Sequence, residues 1–127
     1  CYEAVFPQDS AAAPERPDFL LQITNDAWFG ELSGPYQHLA QARLRAIESG
    51  LPLIRAANTG ISAVIDAHGR TRQSLELNEE GWIDAPLPGA LPPPPWLTWG
   101  AAPVVLLSLL ALAGPAGLRR TGRINRG

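Results

Sequence analysis

The first clear hydrophobic pattern in the chain is a short, nearly continuous apolar run. Residues 18–24 include Phe19, Leu20, Leu21 and Ile23 and contain no proline or glycine. A run of this length predicts a strand buried on both faces. The polar and glycine-containing stretch at 25–30 ends the run, and we expect it to form a loop at the strand's C-terminal end.

A helical pattern follows this loop. Ser33 or Gly34 is suited to be the N-cap, Pro35 to the first turn, and Gly50 to the stop signal. The sequence therefore predicts a helix over residues 35–49. Spacing of three and four residues places a mostly apolar set on the side expected to pack on a sheet: Tyr36, Leu39, Ala40, Arg43, Ala46 and Ile47.

The pattern then changes to short strands separated by turns. We expect a turn at 58–60, a hairpin turn at 67–70, and strands at 51–56, 61–66, 71–77 and 81–85. The order strand, helix, strand, hairpin predicts an α/β sheet protein. These strands are few for a complete sheet core, and the sheet starts mid-strand at Cys1. We therefore expect residues 1–88 to be the C-terminal part of a larger domain.

The C-terminal third is first rich in proline and then uncharged and apolar. Residues 86–95 hold six of the 13 prolines, which predicts a stiff linker. No ionisable side chain lies between Asp84 and Arg119. Two tryptophans precede an apolar run and arginines follow it, a pattern typical of a transmembrane helix; a buried core helix is the alternative. The expected order after the domain is a linker at 89–95, a span at 96–115 and a basic cytoplasmic tail at 116–127, which places the domain in the periplasm of a bacterial inner membrane.

Composition narrows the classes of function. The chain has 127 residues, a formal net charge of -2 and no lysine, and the first 115 positions hold no basic patch. A nucleic-acid partner is therefore not expected. No histidine, cysteine and carboxylate cluster has the spacing of metal ligands, so we expect neither a metal nor another cofactor. A single cysteine excludes an internal disulfide.

That cysteine, Cys1, has several interpretations. It is a buried small side chain, the acylated end of a mature lipoprotein, an N-terminal nucleophile, or an internal nucleophile on a turn after a strand. Tyr2 and Glu3 follow it directly. In the last interpretation backbone N–H groups of the turn lower the thiol pKa and hold an oxyanion.

Four stretches in register decide between these interpretations. They are Cys1-Tyr2-Glu3-Ala4-Val5-Phe6-Pro7, Asn25-Asp26-Ala27-Trp28-Phe29-Gly30, the helix 34–48 with its Gly-Pro-Tyr-Gln-His start, and the stretch 55–66 with its Arg-Ala-Ala-Asn-Thr-Gly start. Together they resemble the apolipoprotein N-acyltransferase family, the membrane-embedded branch of the nitrilase (carbon–nitrogen hydrolase) superfamily. The resemblance covers nearly the whole chain.

The resemblance implies an αββα sandwich and a Glu–Lys–Cys triad. It also implies that a phospholipid donates an acyl chain through a cysteine thioester to an apolipoprotein at the membrane. Cys1 then matches the nucleophile, Tyr2 the residue whose N–H helps hold the oxyanion, and Glu3 an essential carboxylate. Trp28 and Phe29 match the loop that lines the active site. The family's Glu and Lys lie upstream of the cysteine, so we expect the chain expressed alone to be inactive.

Two other functions stay open: a membrane-tethered amidase of the nitrilase type, and a membrane-anchored interaction module with Cys1 as its lipid site. Among the remaining polar residues, Asn25 and Asp26 are expected to cap the loop through backbone hydrogen bonds. A direct role of either residue in shaping the pocket is the alternative, and Asn25 is taken as a candidate pocket residue. His38 is expected to be a satisfied or solvated helical side chain. Arg45 and Glu48 have the spacing of a helix-surface ion pair.

Overall fold

The computed structural model describes residues 14–120, and its elements alternate between strand and helix before two helices close the chain. They are β1 (Leu20–Asn25), a 3₁₀ helix (Ala27–Phe29), α1 (Gly34–Ser49), β2 (Leu53–Asn58), β3 (Ser62–Ile65), β4 (Thr71–Leu75), α2 (Pro95–Trp99) and α3 (Ala102–Arg120). The chain divides into two compact units between Pro94 and Pro95. The predicted α/β class is confirmed for the first unit.

The sheet has four strands in the order β1-β2-β3-β4. β1 and β2 are parallel and joined by α1, whereas β2, β3 and β4 form an antiparallel meander. A strand, crossover helix and parallel strand place α1 against one face of the sheet. Because β1 and β2 are parallel and in register, their C-terminal residues Asn25 and Asn58 lie side by side at one edge.

The helix α1 covers that face and closes a small apolar core. Ala42 and Ala46 of the helix pack with Leu53, Ala63 and Ile65 of the sheet, all at most 2% exposed, and Leu20 and Leu39 pack against them. Alanines on the helix allow its backbone to approach the sheet closely. Burial of these apolar side chains stabilises the unit by about 25 cal/mol for each Å² removed from water.

The end of α1 follows the predicted glycine stop. Gly50 has φ +65, a left-handed conformation in which its N–H bonds the carbonyls of Ala46 and Ile47. The guanidinium of Arg16 donates to the carbonyl of Ser49 at 3.1 Å and to that of Leu91 at 2.7 Å. These bonds satisfy carbonyls that a helix end otherwise leaves unpaired. They also tie the proline-rich segment, which has no regular secondary structure before Pro95, to the helix end.

The buried face of α1 differs from the predicted one. Tyr36 and Ile47 are 50% and 43% exposed. Of the predicted face, Ala46 is buried and Leu39 packs against the core. The other side chains that face inward are Pro35, His38, Ala42 and Ser49. An apolarity pattern does not select His38 or Ser49. They turn inward because the sheet presents hydrogen-bonding side chains to His38, and because the hydroxyl of Ser49 bonds the carbonyl of Arg45 at 2.7 Å.

The prediction that β1 is buried on both faces is wrong in the described chain. Leu21 and Ile23 point to the face opposite α1 and are 60% and 73% exposed. Their register partners Ile54 and Ala56 lie on the same face of β2. Within the described part of the first unit, residues 14–94, no second layer covers this side of the sheet, so the apolar run is half exposed.

The hairpin β3–β4 turns where it is expected. Gly69 has φ +74, and its N–H donates to the carbonyl of Asp66 at 2.8 Å. The predicted strand at 81–85 is wrong, because residues 76–94 contain no strand. After β4 the chain is held by another contact: Asn78 has φ 61, and its N–H donates to the carbonyl of Thr59 at 3.0 Å.

The apolar C-terminal segment is helical, but it is not the single helix expected over 96–115. The helices α2 and α3 are separated at Gly100, which has φ +55. Among the described residues no helix is both long enough and apolar enough to cross a membrane. The transmembrane helix predicted from this segment is therefore not found. Four consecutive prolines stop any helix from extending upstream of Pro95, and the positive φ of Gly100 interrupts the remainder.

Candidate functional site

The candidate site is the turn that follows β1. Asn25 ends the strand, and its side-chain oxygen accepts a hydrogen bond from the N–H of Ala27 at 3.1 Å, as predicted for a loop cap. Asp26 is fixed by its backbone on two sides. Its N–H donates to the carbonyl of Asn58 at 3.2 Å, and its carbonyl accepts from the N–H of Phe29 at 3.0 Å. The short 3₁₀ helix therefore starts from a backbone anchored to the next strand.

The side chain of Asp26 does not cap the loop as predicted. It turns into the space between the sheet and α1, where it is fully buried. One carboxylate oxygen, Oδ1, lies 2.9 Å from Nδ1 of His38 and accepts a bond from the Thr24 hydroxyl at 3.3 Å. The other, Oδ2, accepts a short hydrogen bond from the NH2 group of Arg55. The sheet edge thus holds a buried ion pair directly beneath the turn.

The side chains of Asp26, His38, Gln22 and Arg55 form a closed ring of hydrogen bonds. The NH1 group of Arg55 donates to Oε1 of Gln22 at 2.6 Å, and Nε2 of Gln22 lies 3.2 Å from Nε2 of His38. Since the Gln22 oxygen already accepts from Arg55, its amide nitrogen faces histidine as a donor. We infer from this network that Nε2 of His38 accepts and Nδ1 carries the hydrogen that bonds Asp26. The sequence expectation of a satisfied His38 is confirmed.

The electrostatics of the ring follow from its burial. The guanidinium of Arg55 is fully buried. This burial lowers its pKa below the ordinary value, while the adjacent Asp26 carboxylate opposes the shift. Nε of Arg55 donates to the carbonyl of Ile61 at 3.1 Å, so each guanidinium nitrogen has an acceptor. A buried charge pair is tolerated when its remaining donors and acceptors are satisfied in this way.

Two glycines allow the turn to approach the body of the unit. A Cβ atom added to Gly60 would lie closer than 3.0 Å to the side chain of Asp26, and one added to Gly34 would lie 2.5 Å from Cβ of Phe29. The turn at 58–60 is present as predicted, but its left-handed residue is Thr59, with φ 59, rather than Gly60. Gly60 is therefore required by space and not by backbone freedom.

The turn presents two aromatic side chains in different ways. The ring of Phe29 packs on His38 with centroids 5.1 Å apart and planes tilted by 54°. Trp28 is 83% exposed and the nearby Leu32 is 91% exposed. The turn thus fixes one aromatic ring on the buried ring of polar groups and directs a second one outward.

The predicted site residues fall into two groups. Asn25, Trp28 and Phe29 are brought together on the turn by the structure, whereas Cys1, Tyr2 and Glu3 lie outside the described residues. The catalytic roles assigned to Cys1 and Glu3, and the oxyanion role of Tyr2, stay predictions.

Sequence reasoning missed Gln22 and Arg55 as parts of the site. A signal was available, because Gln22, Thr24 and Asp26 alternate along an otherwise apolar strand and Arg55 interrupts the next one. Period-two spacing places Gln22 and Thr24 on one face of β1. Within residues 14–120, no group of three or more histidine, cysteine and carboxylate side chains is arranged to hold a metal ion.

A parallel strand pair with an anchored, aromatic turn at its C-terminal edge belongs to the α/β class, in which such edges carry binding and catalytic residues. The family model for carbon-nitrogen hydrolases matches residues 1–91, and the chain belongs to that family. It is similar to proteins named apolipoprotein N-acyltransferase. The relative from Bradyrhizobium diazoefficiens is 57% identical over 112 residues, covering 88% of this chain and 21% of the relative.

Two further relatives carry the same name. The apolipoprotein N-acyltransferase of Rhodopseudomonas palustris is 53% identical over 112 residues, covering 88% of this chain and 21% of its own length. That of Brucella melitensis is 46% identical over 122 residues, covering 93% of this chain and 22% of its own length. The chain therefore spans about a fifth of the length of the curated relatives it matches.

Proposed function

We propose that this chain is part of an apolipoprotein N-acyltransferase. The observation that carries the proposal is the 57% identity over 112 residues to the Bradyrhizobium diazoefficiens relative of that name. The aligned share reaches 88% of the chain, so the likeness extends through the turn, the ring of buried polar groups and the sheet. The carbon-nitrogen hydrolase family, to which the chain belongs, acts on acyl groups in carbon–nitrogen and related bonds, which also supports the proposal.

The proposed reaction has two steps, both centred on Cys1. In the first, a base takes the proton of the Cys1 thiol and the thiolate attacks the ester carbonyl of a phospholipid. The carbon–sulfur bond forms, the ester carbon–oxygen bond breaks, and the base returns that proton to the oxygen of the leaving lysophospholipid. In the second, the α-amine of a diacylglyceryl-cysteine at the N-terminus of an apolipoprotein attacks the thioester. The carbon–nitrogen bond forms, the carbon–sulfur bond breaks, and the amine's proton restores the thiol.

The roles of the neighbouring residues follow from this chemistry. The backbone N–H of Tyr2 is proposed to hold the oxyanion, and Glu3 to serve as the adjacent essential carboxylate. A thiol needs a base or a positive field to react at neutral pH, and we propose that a glutamate and a lysine upstream of Cys1 in the complete protein supply them. No further cofactor is required by either step.

The turn Ala27–Phe29 is proposed to line the acyl-enzyme pocket together with Asn25. A thioester exposed to water is hydrolysed, so the pocket must exclude water until the amine arrives. The exposed indole of Trp28 and the ring of Phe29 offer apolar surface for this purpose. Their position at the C-terminal edge of parallel strands supports the assignment, because ligands of α/β sheets bind there.

We further propose that the first unit is the C-terminal part of an αββα sandwich that acts at the periplasmic face of a bacterial inner membrane. Support for the sandwich comes from the sheet, which has α1 on one face and exposed Leu21 and Ile23 on the other. A second sheet stacked on this face would bury them. The membrane location is supported by the donor itself, since phospholipid esters reside in bilayers.

The test is acyl transfer by the protein expressed from its complete gene, reconstituted with a defined phospholipid and a diacylglyceryl-cysteine lipopeptide. We expect triacylated lipopeptide to form, and Cys1→Ala to abolish it while Cys1→Ser retains the fold. Triacylated product from Cys1→Ala would show that another residue is the nucleophile. Release of free fatty acid, without lipopeptide acylation, would instead show that water is the acceptor and that the enzyme is a hydrolase; cleavage of an amide substrate in a separate assay would then support an amidase.

A further inference from the structure

We propose that the closed ring of Asp26, His38, Gln22 and Arg55 is a positioning device that holds the Ala27–Phe29 turn in place for aminolysis of the acyl-enzyme. The inference rests on the proposed function, because the turn is assigned to the acyl-enzyme pocket there. None of the four residues is assigned contact with substrate. They act on the reaction through the turn that Asp26 begins and on which Phe29 lies.

The ring and the turn are directly connected. Asp26 belongs both to the ring, through its carboxylate, and to the turn, through the carbonyl that accepts from the N–H of Phe29 at 3.0 Å. The ring returns to the turn at a second point, because the imidazole of His38 supports the phenyl ring of Phe29 at a centroid distance of 5.1 Å. The two ends of the 3₁₀ helix therefore rest on one hydrogen-bonded unit.

The side chains of the ring are held rigidly. Gln22 and Arg55 are register partners on neighbouring strands, so their side chains start from fixed points on the sheet. His38 starts from α1, and its side chain is 5% exposed, while those of Asp26 and Arg55 are fully buried. Gln22, Arg55 and His38 are thus held by three different regular elements, and Asp26 directly follows β1. Gln22 is half-buried, whereas the other three side chains are buried. Displacing one side chain removes a bond from two others.

A ring of buried polar groups fixes direction more than it stabilises the fold. A buried ion pair costs desolvation energy, and apolar side chains of similar volume stabilise a fold as well or better. An apolar cluster fills space without fixing direction, whereas hydrogen bonds fix both distance and angle. A charged ring beneath a catalytic turn therefore serves orientation. In catalysis a misplacement of about 1 Å costs about a hundredfold in rate.

The role predicts a measurable change in how the acyl-enzyme partitions. A loosened turn admits water to the thioester and leaves the amine less well aligned, so the ratio of free fatty acid to triacylated lipopeptide rises. Partial unfolding alone does not change this ratio, because it removes both products in proportion. The ratio thus separates positioning from stability.

The experiment uses the protein expressed from its complete gene with phospholipid donor and lipopeptide acceptor. For Asp26→Asn we expect the hydrolysis-to-aminolysis ratio to rise about tenfold. His38→Phe should raise it as well, since it keeps a ring beside Phe29 but breaks two bonds. His38→Asn, which retains an N–H near the position of Nδ1, should recover part of the loss. Glu48→Gln, on the same helix but outside the ring, is the matched carboxylate-to-amide control.

Each outcome bears on the inference. An unchanged ratio in Asp26→Asn and His38→Phe, at reduced or normal total turnover, overturns the positioning role. If Asp26→Asn does not fold, His38→Phe and His38→Asn carry the test alone. Absence of lipopeptide acylation in the wild-type protein would overturn the proposed function itself, a result distinguishable from failure of the ring because no variant is needed to see it.

Discussion

The backbone of Gly60 lies against the carboxylate of Asp26 so closely that no Cβ atom fits between them. This contact joins the turn after β2 to the turn after β1, at the edge where the two parallel strands end. Asp26 also bonds the backbone of Asn58, two residues before Gly60. The loop at 58–60 therefore lines one side of the buried space that holds the Asp26 carboxylate.

Gly60→Ala should therefore displace Asp26 and weaken its bonds to Arg55 and His38. We expect a loss of about 1–3 kcal/mol in the free energy of unfolding, typical of overpacking a buried site. The change is measured as faster amide hydrogen exchange at 24–29 in the protein expressed from its complete gene. Gly89→Ala is the matched control, because nothing lies within 4 Å of a Cβ at that position. Equal exchange in both variants would contradict the tight contact.

The architecture of the first unit was largely predictable, and the reasons are local. The helix 34–49 is bounded by Pro35 and by Gly50, whose left-handed φ no other residue adopts as readily. The strands and the hairpin turn carry equally local signals in their apolar runs and in Gly69. Such features depend on residues a few positions apart, which is why the sequence pattern predicts where the helix, the strands and the turn lie.

The buried face of α1 and the ring were not predictable in the same way. Hydrophobicity assigns His38 and Arg55 to the surface, whereas both are at most 4% exposed. Their burial depends on partners 12 to 33 residues away in the chain, such as Asp26 for His38 and Gln22 for Arg55. A one-dimensional pattern carries no information about such pairings. For the same reason it did not foresee that Leu21 and Ile23 would be exposed.

Trp28→Ala should affect activity far more than stability. The indole is 83% exposed, so its truncation removes little buried surface and should change the free energy of unfolding by less than about 0.5 kcal/mol. If it lines the acyl-enzyme pocket, the rate of lipopeptide acylation should fall about tenfold or more. Thermal unfolding and acyl transfer are measured on the same preparation. Unchanged acylation would remove Trp28 from the pocket.

Glu48→Gln should be nearly silent for stability, although it breaks a visible ion pair. Glu48 lies 2.9 Å from the NH2 group of Arg45, and its side chain is 43% exposed. The side chain of Arg45 is only 12% exposed, but the half-exposed carboxylate is replaced by an amide that still accepts from the guanidinium, so we expect a loss of at most about 0.5 kcal/mol. Thermal unfolding at low and high salt gives the measurement. If Glu48→Gln lowered the free energy of unfolding as much as Asp26→Asn does, the exposure of a carboxylate would not determine how much its replacement costs.

The hairpin turn contains a second buried carboxylate, that of Asp66. Burial by itself raises its pKa, but the N–H groups of Arg70 and His68 donate to Oδ1 at 2.8 and 2.9 Å and favour the charged form. Arg72 adds an ion pair, its NH2 group lying 2.9 Å from Oδ2 in a geometry short of a hydrogen bond. These contacts outweigh burial, and the pKa of Asp66 lies below its ordinary value.

The lowered pKa of Asp66 predicts the sign of an acid effect. The unfolded chain binds the proton more readily than the folded one, so the stabilisation is complete above about pH 5 and is lost as pH falls through the folded pKa. Asp66→Asn keeps an acceptor for the backbone N–H groups but removes the charge. We expect it to weaken protection of the hairpin amides by about 1 kcal/mol at pH 7 and to converge with the wild type in acid. Hydrogen exchange, corrected for its intrinsic pH dependence, measures the difference. A difference that grows toward low pH would reverse the assigned direction of the pKa shift.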